Sequence, residues 1–198
     1  MSRILTLISL LISFFGGNKY KVLLVPHNNI YQPKIMEFFD TNYQSNVKTI
    51  VILGTNHRDV GPPIFQSSDD YSIQNIIPVI KRIYPTAEII SYIIRPSHDI
   101  PKVLSFSSFL KKSYPPKNTL FIASVDFSHY TSRSQADTFD RETIDVIKKR
   151  DYNQLIEWGP EHTDCPDCLI ISSDLNPTFT LTNKEYLEGT SYFFGIFN

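Results

Sequence analysis

The chain has 198 residues, 41% of them hydrophobic, with 19 basic and 20 acidic side chains and a net charge of −1. That length and apolar share suit one globular domain with a sizeable core. The even charge balance excludes the basic footprint of a nucleic-acid binder, so no nucleic-acid partner is expected.

Residues 1–17, "MSRILTLISLLISFFGG", stand apart: Arg3 precedes an apolar run of 12 residues from Ile4 to Phe15, closed by Gly16-Gly17. A bilayer span needs ~20 such residues. The layout matches the charged start and apolar middle of a signal peptide, although "SFFGG" is a poor cleavage site. Export or membrane anchoring through this segment is expected over a cytoplasmic location, against the alternative of an N-terminal element packed on the domain. The domain itself is expected over 18–198.

Apolar, β-branched runs then alternate with helical patterns. Strands are predicted at 20–25, 47–54, 87–94, 119–125 and 189–197. Between them, "PKIMEFFDTNY" reads as a helix with Pro33 in its first turn. "SIQNIIPVIKRIY" reads as a helix capped by Ser72 and kinked at Pro78. "IPKVLSFSSFLKKSY", the amphipathic "SQADTFDRETIDVIKKR", and "YNQLIEWG" stopped by Gly159 complete the helices. The fold class this implies is α/β, a single domain with a largely parallel central sheet covered on both faces.

Three of the five histidines follow a buried strand closely: "VLLVPH" (His27), "IVILGTNH" (His57) and "LFIASVDFSH" (His129). In an open α/β sheet, ligands bind beyond the carboxyl ends of the strands, so these imidazoles are expected to converge there. A single His in such a place is ordinary loop text; three are harder to dismiss. Asp126 is a partner fixing an imidazole's tautomer, or equally a turn former or helix cap. Ser128 is expected to cap rather than react, because no G-x-S-x-G elbow surrounds it. His98 and His162 lie in polar loop text and read as surface or local structural residues.

Both cysteines fall in "EHTDCPDC" (161–168). With His162 they are spaced like a small metal knuckle; alone, Cys165-x-x-Cys168 reads as a redox pair, two packed thiols, or a disulfide in an exported protein.

Taken in order, "VPHNNI", "VILGTNH", "DDYSIQNIIPVI", "IASVDFSHY" and "GTSYFFGIF" resemble the motifs of the Memo family, known in bacteria as AmmeMemoRadiSam system protein B. "IASVDFSHY" is the most specific, being close to the family's Ser-Ser-Asp-Phe-Ser-His-Tyr. The resemblance implies a three-layer α/β/α domain related to the class III extradiol dioxygenases. It also implies a pocket lined by two His, a Cys and the His of the Asp-Phe-Ser-His motif. Carried over by motif, the pocket residues are His27, His57, His129 and a Cys of the 165–168 stretch, for which Cys165 is the better match. His27, His57 and Cys165 would then be the metal ligands, with His129 deprotonating substrate or stabilising bound oxygen and Asp126 orienting it. The cofactor so implied is iron or copper. The resemblance leaves the reaction unassigned; metal-dependent oxidation of a small molecule or peptide is the expectation, with a non-catalytic ligand-binding cleft and, third, a zinc hydrolase as the alternatives. Three departures stand out: Tyr71 occupies a usual His position, the stretch between His57 and Asp69 is short, and "NNIYQP" replaces the family's text after the first His.

Overall fold

A computed structural model describes residues 19–97 and 99–198. The signal-like segment 1–17 and His98 lie outside these. Among the described residues, no helix is long and apolar enough to cross a membrane.

Seven strands form one sheet: β1 (Lys21–Val25), β2 (Thr49–Thr55), β3 (Ile64–Gln66), β4 (Glu88–Ile94), β5 (Thr119–Ser124), β6 (Phe179–Leu187) and β7 (Thr190–Phe197). Their order is β3-β4-β2-β5-β1-β7-β6. The four central strands, β4, β2, β5 and β1, are mutually parallel, and β3, β7 and β6 add antiparallel edges. The helices are α1 (Gln32–Thr41), α2 (Tyr71–Gln74), α3 (Ile77–Ile83), α4 (Ile100–Ser113), α5 (Arg133–Lys149), α6 (Tyr152–Glu157) and α7 (Pro166–Leu175).

Strand alternation assigns the two faces. Leu23, Val25, Ile50, Ile52, Leu120 and Ile122 pack against α1, α2 and α3. Val22, Leu24, Val51, Leu53, Phe121 and Ala123 pack against α4 to α7. Because both faces are covered, the central strands read as unbroken apolar runs, and the three-layer α/β/α architecture follows.

Most expected elements are present, β3 and α7 are additions to them, and four corrections follow. The helix at 72–84 is two helices, and Pro78 lies in the first turn of α3, where its missing N–H costs nothing. Asp70 caps α2 by accepting the Ser72 backbone N–H at 2.9 Å, the role expected of Ser72 itself. Strand β6 was not expected, because its polar edge position masks its alternation. Its signal is the two-residue turn Glu188-Gly189, whose φ values of 49° and 84° match the twist of a tight hairpin. Finally, α6 ends through extended backbone at Trp158 rather than through a left-handed Gly159.

Two buried carboxylates brace the half of the molecule that carries α7. Asp140 accepts hydrogen bonds from Ser128 Oγ and Ser191 Oγ, both at 2.6 Å, and pairs with Lys184 Nζ at 2.7 Å. Ser128 is therefore tied to α5 through its side chain and is not the helix cap expected of it; Ser132 caps α5. Asp167, fully buried in the first turn of α7, accepts the Ser97 N–H at 3.1 Å, while its Oδ1 has no partner among the described residues.

Burial pushes the Asp167 carboxyl up to about 7 despite its bonds to Ser97. In the unfolded chain the same group ionises near about 4. Between these values the native state holds the extra proton, so stability falls as pH rises. Asp167→Asn should remove that fall. We expect the variant to match the parent near pH 4.5 and exceed it by roughly 1–2 kcal/mol at pH 8 in denaturant melts. Equal pH dependence in the two proteins would refute this.

Candidate metal centre

The strand register sets the positions of the site. Val25 pairs with Ser124, which pairs in turn with Gly54. His27 and Asp126 each follow their strand by two residues and so sit level, with His57 a step further along. The chain leaves β1 and β2 toward the α1–α3 face but leaves β5 toward the opposite face. A crevice must open at the carboxyl end of β5, and the site occupies it.

His27 and His57 meet there, ring centroids 5.1 Å apart and nearly perpendicular. The third member is Asp164, from the loop before α7. Its Oδ2 lies 3.4 Å from both His27 Nε2 and His57 Nε2. One donor atom from each of the three residues falls within 4.8 Å of the others. Asp164 Oδ2 is buried without a hydrogen-bond partner among the described residues.

Each member is held from behind. Asp70 grips His57 twice, accepting its backbone N–H at 2.9 Å and lying 2.9 Å from its Nδ1. That contact reserves Nε2 for the centre. Gly54 makes the grip possible: a Cβ there would meet Ser72 Oγ at 2.5 Å, so only glycine lets α2 approach β2 so closely. Asp126 Oδ1 accepts the His27 backbone N–H at 3.2 Å. Asp126 and Asp164 also bond reciprocally: the Asp126 N–H donates to Asp164 Oδ1 at 3.1 Å and the Asp164 N–H to the Asp126 carbonyl at 3.2 Å.

Behind this loop, His162 is packed between the rings of Trp158 (4.1 Å) and Phe139 (4.4 Å), with Nε2 3.1 Å from Glu142. It is a local structural residue, and a buried one.

The electrostatics follow from burial and carboxylate crowding. Burial lowers the His27 pKa against the pull of Asp164, which favours the neutral imidazole. Burial also opposes charge on His57, but the nearby Asp164 and Asp70 carboxylates outweigh it and raise its pKa. Burial, then repulsion from Asp164, raises Asp126. For Asp70, bonds from His57 and Ser72 overcome burial and lower it.

Of the residues singled out in the sequence, His27, His57 and Asp126 come together. Cys165 does not join them, because its sulfur is bonded to Cys168 and is no thiolate. Of the readings open for this pair, the structure takes the disulfide. Asp126 bonds to the His27 backbone rather than to His129; His129 is half-buried, and its Nδ1 has no partner among the described residues. Asp164 and Asp70 were missed. Asp164 stands one residue before the cysteine that drew attention, and Asp70 reads as ordinary turn text.

No family model matches the chain. A curated relative, described as a MEMO1 family protein of Desulfurococcus amylolyticus, is 26% identical over 193 residues, covering 76% of this chain and 64% of the relative. The chain thus spans 64% of that relative's length. An uncharacterised protein of Escherichia coli K12, known from its crystal structure, shares the fold with a TM-score of 0.61 at 11% identity. That match covers 91% of this chain and 100% of the other.

Proposed function

We propose that the chain is a member of the MEMO1 family, as its similarity to the Desulfurococcus amylolyticus protein supports, and that it is a metalloprotein holding one divalent transition-metal ion on His27, His57 and Asp164. The observation that carries the metal reading is the buried Asp164 Oδ2, without a hydrogen-bond partner among the described residues and facing two imidazole nitrogens. A carboxylate oxygen buried without a donor is costly, and a cation there removes the cost. Two imidazoles and one carboxylate with open positions suit non-haem Fe(II). A soft thiolate ligand would favour copper, but Cys165 is in a disulfide and supplies none. Iron is therefore the proposed metal and oxidation the proposed chemistry, acting on a small organic molecule or peptide.

Bound Fe(II) would supply one-electron reducing power toward dioxygen and open positions for substrate. The chain's own residues do the rest. Asp70 fixes the tautomer of His57. Burial favours the neutral imidazole of His27, the form that ligates. His129, whose Nδ1 has no partner among the described residues, is the group proposed to take or return a substrate proton.

Metal analysis of the protein purified from its own host tests this reading, followed by anaerobic Fe(II) titration. We expect stoichiometric iron and a Kd below about 1 μM. Zinc as the native metal would favour a hydrolase. A reconstituted protein that binds no metal in this range would favour the non-catalytic ligand cleft.

A further inference from the structure

We infer that Tyr71 is a positioning residue of this centre, its ring setting the planes of both imidazoles. The inference rests on the metal reading above. Tyr71 lies flat on His57, with centroids 3.9 Å apart and planes 25° apart, and meets His27 edge-on at 5.4 Å.

The two imidazoles need this contact for different reasons. His57 is fastened at Nδ1 by Asp70, which settles its tautomer but leaves the ring free to tilt about that bond. A stacked ring removes the tilt. A ligating imidazole ordinarily donates its second N–H to a firm acceptor. His27 lacks one. The Ser124 backbone lies near enough to favour its charged form, yet among the described residues no acceptor meets Nδ1 in hydrogen-bond geometry. Its ring is instead bounded by His57 and Tyr71.

The grip and the plate come from consecutive residues. Asp70 caps α2 and Tyr71 begins it, so one turn of backbone delivers both. Tyr71 remains 45% exposed, a poor return if its purpose were burial of apolar surface. Among the described residues its hydroxyl makes no hydrogen bond, so the ring itself makes the contact. Phenylalanine should therefore replace it.

Co(II) titration of the full chain, read by its visible spectrum, tests the inference without any activity assay. Tyr71→Phe should bind within about twofold of the parent, with the same spectrum. Tyr71→Ala and Tyr71→Leu should bind on the order of tenfold more weakly, as loss of an orienting partner does elsewhere. Their bands should shift, because the ligand field follows the imidazole angles. Thermal melts should stay close to the parent's, and Leu keeps the apolar cover if Ala fails to fold. The inference is overturned if Ala and Leu bind like the parent, or if Phe is as damaging as Ala. Failure of the parent to bind Co(II) would instead remove the metal reading, and this inference with it.

Discussion

Asp164→Ala is expected to weaken Fe(II) or Co(II) binding by at least about 100-fold, beyond the 10- to 100-fold typical of losing an outer partner. Cys165→Ser should leave the affinity within about threefold, since its sulfur supplies no thiolate to the centre. The contrast matters because these residues are adjacent, and motif resemblance points to the cysteine while geometry points to the carboxylate. Asp164 Oδ2 stands 3.4 Å from both imidazole nitrogens. Its Oδ1 is already engaged by the Asp126 N–H, which leaves Oδ2 the free atom. Calorimetric titration of both variants, with and without a dithiol reductant, decides the matter. Loss of binding in Cys165→Ser but not in Asp164→Ala would return the ligand role to the thiolate.

The second large effect concerns stability. Asp140→Ala should cost about 3 kcal/mol, because it strands two buried hydroxyls and takes from Lys184 one of its two carboxylate partners, leaving it only Asp137. In a chain of this size that lowers the melting temperature by roughly 6–12 °C. Asp140→Asn keeps one acceptor oxygen and should cost less, about 1–2 kcal/mol. Because Asp140 holds Ser128 next to His129, both variants should also disturb how the imidazole is presented. Denaturant melts at neutral pH measure the first effect; a change under about 0.5 kcal/mol for Asp140→Ala would show that the network is dispensable.

The sequence by itself determined the layers and half of the centre. Runs such as "TIVILGT" and "TLFIAS" are apolar at every position, which only a strand covered on both faces can tolerate. Once such strands are parallel, a histidine just past each end must approach the same rim. His27 and His57 were legible on that ground.

What only the tertiary structure decided is the third donor and the supports. Asp164 reaches the crevice from a loop more than 30 residues past β5. Its place depends on a reciprocal bond to Asp126 and on His162 packed between two rings, none of which has a sequence period. Asp70 likewise looks like a turn residue until Gly54 lets α2 close on β2. Local periodicity encodes which face a side chain takes; which distant loop closes over a strand end is set by packing and hydrogen bonds between segments far apart in the chain.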